Sequence, residues 1–544
     1  SRIQTRASQR WGQLESDPEL AAPWHQLFRQ VQSPRHVLSE LLQNADDAEA
    51  STAAVRIEGN HFIFEHDGSD FDENQFESLC RFGFSNKRNL HTIGFRGVGF
   101  KSTFSLGDIV EVYTPTLNIC FNKKRFTQPN WLENSIQSER TIVRVRVRDE
   151  NCLLQLRKNF EEWAQSPVSL LFFKNLKALN IGGKVIRRQR LANGPVADSS
   201  WMELVGISNA EKLLVIQSEA IPFTNEASEE VLSERGVGAD EFQLPPCRVE
   251  VVFGMSSENR IYVVLPTGAT LELPFSCNAP FIQDPARFSI KDPAASPTNR
   301  WLLQRIGGLV GKTIRQWLAN VDLSPKERAA AYGLLKNGVR FSSGQGGACS
   351  QIIVESMLAE LKAEKVVLTI EGTLAKVGEV VAVPEELFSV WDSGQLLEFF
   401  AHLGKRIFAS EASEYADKLR EYGWVIGLDS SYVLERLMQN HILVPCPNSW
   451  PRLNALWSFV ENRLRHNDWD GERRKRIKMV PVDGNKLLHP ANEVVRLSSR
   501  SELLSQEDWK FVMSQTATLN GKWLDWLSKE SGEYNPARVL LQVL

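Results

Sequence analysis

The stretch that decides the fold is ELLQNADDA at residues 40–48. Ser33 and Pro34 upstream suit the N-cap and the first position of a helix. The helical repeat that follows places five apolar residues on one stripe, namely Val37, Leu38, Leu41, Leu42 and Ala45. We therefore predict a helix that buries this stripe and carries its polar residues beside it.

The polar side of this helix is a candidate metal and nucleotide site. Spacings of four and three residues put Glu40, Asn44 and Asp47 on one stripe. Asn is a poor helix former in mid-helix, but its amide oxygen is a hard ligand that suits Mg²⁺. A carboxylate one turn earlier can orient and deprotonate a water molecule. Taken alone, such a stripe is more often a solvated helix face.

A second pattern, His66-Asp67-Gly68, follows a segment at 55–66 that predicts a β-hairpin with a Gly-Asn turn. A carboxylate at the end of a strand can accept a hydrogen bond from the exocyclic amine of adenine. The glycine after it lets a base approach the backbone. Taken alone, Asp-Gly after a strand is usually a simple turn.

The third pattern is the glycine-rich turn GFRGVGFKS at 94–102. Glycines let backbone amides converge on phosphate oxygens, and a helix that begins at Phe100 would point its N-terminus at them. Lys101 would add a positive charge. The spacing excludes a P-loop, because Phe100 separates Gly99 from Lys101, and a dinucleotide fingerprint, because Ser102 replaces the last glycine. The alternative is a tight structural turn.

Together, ELLQNADDA, the Asp67-Gly68 turn and IGFRGVGFKS at 93–102 resemble, in this order, the GHKL ATPase superfamily. Its members include HtpG-type chaperones, gyrase, MutL, histidine kinases and MORC proteins. The joint match covers residues 33–108. The resemblance implies a Bergerat-type α/β sandwich that binds ATP and Mg²⁺, with residues 69–93 as its lid.

The resemblance also implies a role for each matching residue. Glu40 would be the general base, Asn44 the Mg²⁺ ligand, and Asp47 a residue that lines the nucleotide pocket. Thr141, which opens a strongly alternating strand, would support the adenine site. The glycine-turn residues assigned to the nucleotide are Gly94, Arg96, Gly97, Val98, Gly99, Phe100, Lys101 and Ser102.

One departure from the family pattern concerns the motif that would contact the adenine base. The family writes the second motif as Asp-x-Gly, whereas here His66 lies two residues before Gly68 and Asp67 lies next to it. The sacsin-type and NO VEIN-type branches resemble this chain in having a HxG-like motif followed by an aromatic residue, here Phe71. Either His66 or Asp67, together with Gly68, would therefore contact the base.

We predict three regions. Residues 1–178 form the ATP-binding domain, and residues 179–340 form a strand-rich α/β domain that resembles the transducer or middle domain of HtpG-type and sacsin-type proteins. In those proteins an Arg reaches the terminal phosphate; Arg287 is the matching catalytic candidate, and Arg300 is the second choice. Residues 341–544 form a mixed α+β, partly helical region that begins with a glycine-rich linker at 342–348.

The C-terminal region contains a faint two-copy repeat. VLTIEGTLAKVGEVVAV begins at residue 367 and MVPVDGNKLLHPANEVVRL begins at residue 479. Both copies place an acidic-Gly turn before Glu-Val-Val, so we predict similar β-turn-β units. Because the chain ends in the apolar run VLLQVL, we expect it to be the front part of a longer protein.

Composition narrows the class of protein. The 544 residues include 63 Lys and Arg against 66 Asp and Glu, a formal net charge of −3, which gives no global argument for nucleic acid or an acidic membrane surface. No apolar run is long enough to span a membrane. The seven scattered cysteines form no CxxC pair, so we expect a cytoplasmic protein without disulfides.

Three functions remain open at this stage. The first is a slow, Mg²⁺-dependent, chaperone-like ATPase that couples lid closure to domain rearrangement in a protein client. The second is a nucleic-acid-handling clamp of the MORC or MutL type, for example in phage defence. The third is a nucleotide-gated scaffold without hydrolysis. Many relatives dimerise through later segments, so a homodimer through parts outside this chain is a further expectation.

Overall fold

The computed structural model describes residues 2–17, 19, 34–81, 99–133, 137–165, 167–206, 211–235, 244–256, 258–284, 289–464, 473, 475–482, 486–490, 493–495 and 517–518. The chain divides into two compact units. The first unit contains Ser1–Lys312 and Arg340–Ala359, and the second contains Thr313–Val339 and Glu360–Leu544. The predicted α/β class is confirmed, because the chain contains both helices and strands, and 14 of the strands form one large sheet.

The helices are α1 Arg2–Ser16, α2 Pro34–Asp47, α3 Glu73–Leu79, α4 Glu150–Gln165, α5 Asn225–Arg235, α6 Pro297–Ala319, α7 Pro325–Ala329, α8 Gln345–Leu361, α9 Leu387–Val390, α10 Ser393–Phe400, α11 Ala416–Glu421, α12 Ser430–Met438 and α13 Trp450–Leu464. Short 3₁₀ helices occur at Gly99–Ser105, Val168–Leu171, Ala330–Leu334, Ala401–Leu403 and Ser410–Tyr415.

One 14-stranded sheet runs through the first unit. Its strands are β1 Thr52–Glu58, β2 His61–His66, β3 Ile109–Tyr113, β4 Asn118–Asn122, β5 Arg125–Trp131, β6 Thr141–Arg146, β7 Ala178–Ile181, β8 Lys184–Asn193, β9 Ser199–Val205, β10 Lys212–Gln217, β11 Glu250–Phe253, β12 Arg260–Val263, β13 Leu265–Thr270 and β14 Phe275–Asn278. The spatial order is β13-β12-β14-β11-β10-β9-β8-β7-β1-β2-β6-β3-β4-β5.

The predicted hairpin and the predicted helix that carries ELLQNADDA, α2, are both confirmed. β1 pairs antiparallel with β2, and Gly59 adopts a φ of 58° at the turn, a conformation that suits glycine. The predicted apolar stripe of α2 is buried, with exposed fractions of 0–2%. It belongs to the same core as the inward-facing residues of β1, β2, β3 and β6. The rotation of α2 about its own axis is therefore determined by its apolar residues.

The apolar run at 168–180 differs from the sequence-based expectation of a buried strand. The structure forms a buried 3₁₀ helix at Val168–Leu171, then a turn, and only then β7. A short apolar run has no periodicity that separates a strand from a helical turn. β7 pairs parallel with β1 and antiparallel with β8, so the sheet continues across the predicted boundary at residue 178. The boundaries at 178 and 340 stay predictions.

The glycine-rich segment 342–348 is not a linker. Helix α8 begins inside it at Gln345, and a Cβ on Gly346 would overlap the carbonyl oxygen of Thr270. A Cβ on Gly347 would likewise overlap the carbonyl oxygen of Ser342. These glycines allow close packing of backbones, which the sequence pattern alone does not distinguish from flexibility.

The second unit contains short sheets formed by β15 Lys365–Leu368, β16 Leu374–Lys376, β17 Val380–Ala382, β18 Arg406–Ile407, β19 Val425–Gly427, β20 Lys478–Pro481, β21 Leu488–Pro490, β22 Val494–Val495 and β23 Ala517–Thr518. Both copies of the predicted repeat form an antiparallel hairpin, β15–β16 and β20–β21, with a register shift after the first pair. In each copy the next strand, β17 or β22, pairs parallel with a later one.

Within the described ranges, none of the helices combines the length and the apolar character that crossing a membrane requires.

Close packing at Gly107 gives a stability test of the first unit. A Cβ at this position would overlap the carbonyl oxygen of Arg146 in β6, whereas a Cβ on Gly12 in α1 meets nothing within 4 Å. We expect Gly107→Ala to destabilise the unit by about 1–3 kcal/mol through overpacking. Gly12→Ala should instead stabilise α1 by roughly 0.5–1 kcal/mol. Thermal unfolding should show a lower midpoint for the first variant, and equal midpoints would contradict this packing.

Candidate functional site

The predicted polar stripe lies on α2. Glu40 is buried with 9% of its surface exposed, and Asn44 and Asp47 are half-buried. Gln43, between the first two, is also buried, and its Oε1 has no hydrogen-bond partner. The helix therefore places a carboxylate, an amide and a second carboxylate along one partly covered side, which is the arrangement that the sequence spacing predicts.

His66 closes β2 at the point where three strands meet. It lies opposite Ala53 of β1 on one side and opposite Thr141 of β6 on the other. Its Nδ1 accepts a hydrogen bond from the backbone N–H of Gly68 at 3.1 Å, which leaves the proton of the neutral ring on Nε2. Burial lowers the pKa of His66 to about 4, opposed by Asp67 and assisted by Arg140.

Asp67 makes a set of structural contacts in the neighbouring turn. One carboxylate oxygen accepts the backbone N–H groups of Ser51 and Thr52, both at 2.8 Å. The other oxygen accepts their hydroxyl groups at 2.7 and 2.9 Å. Burial alone would raise the pKa of Asp67, but these hydrogen bonds lower it to about 2. Both oxygens thus hold the start of β1, whereas His66 faces Thr141.

Gly68 brings the second motif against the end of α2. A Cβ at this position would lie 2.6 Å from the carbonyl oxygen of Ala48 and 3.0 Å from Nδ1 of His66. The N–H of Ser69 donates to the same Ala48 oxygen at 2.8 Å. The first two motifs are therefore in direct contact, and a side chain at position 68 would separate them.

Thr141 supplies an unpartnered polar atom at this site. The residue is 2% exposed, and its Oγ1 has no hydrogen-bond partner. It opens β6 directly opposite His66. A buried hydroxyl without a partner costs free energy unless a ligand or a water molecule completes it.

The third motif is described only in part. Gly94, Arg96, Gly97 and Val98 lie outside the described residues, as does Arg287. Gly99, Phe100, Lys101 and Ser102 begin the 3₁₀ helix Gly99–Ser105, which packs against α2. Ser102 is buried and its Oγ has no partner. Arg300 donates to the carbonyl groups of Pro293 and Ala294.

Lys101 has partners different from the predicted ones. Its Nζ donates to the carbonyl oxygens of Leu79, at 2.7 Å, and Phe126, at 2.9 Å. The ammonium also lies 4.7 Å from the ring centre of Phe121. Burial lowers the pKa of Lys101 to about 7. In this conformation Lys101 links the end of α3 to β5, and the sequence could not reveal these carbonyl partners.

Asp46 is a buried residue that the sequence reasoning missed. Its Oδ1 accepts the N–H groups of Asn175 and Leu176 at 2.7 and 2.9 Å, and its Oδ2 accepts that of Lys174 at 3.1 Å. The available signal was the first Asp of the NADDA sequence, one position before Asp47 of the predicted polar stripe. From two adjacent Asp residues near a helix end, the sequence does not show which side chain points inward.

The described residues hold no group of three or more His, Cys, Asp or Glu side chains that could bind a metal ion. Mg²⁺ in nucleotide sites takes most of its ligands from phosphates and water, with one or two from the protein. The amide of Asn44 stays the predicted protein ligand of Mg²⁺.

Comparisons with known proteins do not assign the chain to a family. No protein-family model matches it, and a search of curated proteins gives no significant match.

The burial of His66 predicts a pH dependence. Because the pKa of about 4 in the folded protein lies below the ordinary histidine pKa of 6.5, the neutral buried ring carries no stability penalty above pH 6.5, and the protein has its full stability there. Stability is lost as the pH falls from 6.5 towards 4, because His66 then binds a proton in the unfolded chain but not in the folded one. The upper bound of the loss is about 3 kcal/mol.

An NMR titration of the imidazole ring and melting temperatures between pH 7 and 4.5 check this expectation. His66→Asn should flatten the pH dependence of the melting temperature. The matched variant His61→Asn, on the same strand, should retain it because His66 is still present. A midpoint of the His66 titration near 6.5 would contradict the burial of the ring.

Proposed function

We propose that the chain binds ATP with Mg²⁺ and hydrolyses it slowly, as a conformational-switch ATPase of the GHKL kind. The observation that carries the proposal is the unpartnered, buried hydroxyl of Thr141 opposite His66. These two residues lie at the strand ends that Gly68 brings against α2. The finer architecture that we propose for this half of the unit is the Bergerat-type α/β sandwich.

The base would bind against His66, Gly68 and Thr141. The neutral His66 ring has one N–H to donate, because its other nitrogen already accepts from Gly68. Thr141 Oγ1 can both donate and accept, so it can complete the hydrogen bonding of an adenine edge directly or through water. Asp67, whose oxygens hold Ser51 and Thr52, would support the turn instead of contacting the base.

The reacting end of the nucleotide would lie along α2. Asn44 would hold the Mg²⁺, which neutralises phosphate charge when bound. Glu40, one helical turn earlier and buried, would orient and deprotonate the attacking water. Ser102 Oγ at the start of Gly99–Ser105 is a second unpartnered donor for a phosphate oxygen. Lys101 would contact phosphate only after giving up the carbonyl groups of Leu79 and Phe126.

The engagement of Lys101 favours a second candidate, a nucleotide-gated scaffold that binds but does not turn over. A lysine that stays with two backbone carbonyls supplies no charge to a developing phosphoryl transition state. For the first candidate we propose a chaperone-like role on a protein client, which the resemblance to HtpG-type and sacsin-type proteins implies. Turnover separates these two candidates, and binding alone does not.

Two substitutions on α2 test the proposal. We expect Asn44→Ala to abolish Mg²⁺-dependent ATP binding, because it removes the proposed protein ligand. Glu40→Gln should leave ATP affinity nearly unchanged while hydrolysis falls about 10²-fold or more, the contribution typical of a general base. Calorimetry and phosphate release measure the two quantities, with GTP as a comparison for base selectivity.

Glu49→Gln, just beyond the end of α2 and exposed, is the matched control and should behave like the parent protein. Normal hydrolysis by Glu40→Gln would contradict the assignment of Glu40 as the general base. Tight ATP binding without turnover in the parent would support the scaffold. An absence of nucleotide binding in the parent would refute both candidates.

A further inference from the structure

Two charged side chains from different elements hold the turn that joins the 3₁₀ helix Val168–Leu171 to β7. From α2, the carboxylate of Asp46 accepts three consecutive backbone N–H groups, those of residues 174–176. The side-chain amide of Asn175 returns a hydrogen bond to the Asp46 carbonyl at 3.0 Å. The end of α2 is therefore bound to this turn at four points.

Arg188 of β8 holds the same turn through its carbonyl groups. Its Nη1 donates to the oxygens of Leu170, at 3.1 Å, and Phe173, at 2.6 Å, and its Nη2 donates to that of Lys174 at 3.2 Å. Asp46 binds the N–H side of the turn and Arg188 binds the carbonyl side. Lys174 contributes its N–H group to one and its carbonyl group to the other.

Arg188 also interacts electrostatically with Glu250, which lies on β11 of the same sheet. Burial lowers the pKa of Arg188, and the negative charges of Asp46 and Glu250 oppose that effect. Glu250 on β11 is held by Gln217 of β10 and Asn278 of β14, both at 2.7 Å. A displaced Arg188 would leave carbonyl groups of the turn without donors, which costs free energy at a partly buried site.

We propose that Asp46 and Arg188 clamp the turn at 170–176 and thereby couple the position of α2 to that of β8. Asp46 is a positioning residue for Asn44 in this arrangement and contacts no ligand. Through this coupling, ligand binding at the site on α2 would also stabilise β8. Only the identity of the ligand, a Mg²⁺-bound nucleotide, rests on the proposed function.

The competing interpretation is that Asp46 and Arg188 are two independent local caps. Local caps would affect the segments in which they lie and the turn itself. A coupling clamp also acts across the turn in both directions, because coupling free energies are reciprocal. Amide hydrogen exchange, read segment by segment, separates the two interpretations without a ligand.

The test uses the full chain with Asp46→Asn, Arg188→Gln and the double variant. We expect Asp46→Asn to speed exchange in β8 by roughly fivefold, the change that loss of one net hydrogen bond produces. Arg188→Gln should speed exchange at residues 37–47 of α2 by a similar factor. The fold-increase in exchange rate in the double variant should be smaller than the product of the fold-increases in the two single variants. Arg188→Lys, which keeps a donor, should partly restore the parent rates.

Matched controls come from the same unit. Asp149→Asn alters a carboxylate that accepts the N–H of Cys152 at 2.8 Å, and Arg125→Gln alters an arginine paired with Glu15 at 2.7 Å. Neither should change exchange in α2 or β8. If Asp46→Asn does not fold, Arg188→Gln alone decides, because its expected effect lies in the other element.

A second arm adds ATP and Mg²⁺. In the parent, the ligand should slow exchange both at residues 37–66 and in β8. In Arg188→Gln it should slow exchange at 37–66 only, a result that a merely structural role of Arg188 does not produce. Variants that affect only their own segments would overturn the clamp. Absence of any ATP effect in the parent would refute the proposed function, while the ligand-free cross effects would still decide the clamp.

Discussion

The complete burial of the apolar stripe of α2 is the constraint on which the site depends. Five residues between Val37 and Ala45 are at most 2% exposed and pack into the core formed with β1, β2 and β6. Rotating the helix would expose several of them, at about 1.5–3 kcal/mol for each large side chain. Because that rotation is disfavoured, the side chains of Glu40, Asn44 and Asp47 have little freedom to leave the candidate site.

The same constraint explains why buried polar groups collect around α2. A helix held this firmly can carry Asp46 inward, where three backbone N–H groups satisfy it. It can also carry Ala48 into contact with Gly68, at a distance that excludes a side chain. The unpartnered atoms of Gln43, Ser102 and Thr141 lie on α2 and the elements beside it, where a polar ligand would complete their hydrogen bonding.

Local sequence signals predicted the elements that surround the site. The periodicity of α2, the Gly-Asn turn between β1 and β2 and the alternation of β6 are local properties, so they were readable without tertiary information. The inward direction of Asp46, the carbonyl partners of Lys101 and the 3₁₀ helix at 168–171 depend on residues far away in the chain. Glycines 346 and 347 were misread because their need for close backbone contact, with Thr270 of β13 and with Ser342, appears only in the folded structure.

The most direct test of the central claim is a crystal structure of the chain with Mg²⁺ and a non-hydrolysable ATP analogue. We predict that the adenine lies against His66 and Gly68, with Thr141 Oγ1 in hydrogen-bond contact with the base or with a water molecule bound to it. The metal should contact the amide oxygen of Asn44. A structure with the analogue bound elsewhere, or with Thr141 still unpartnered at saturating analogue, would contradict the account.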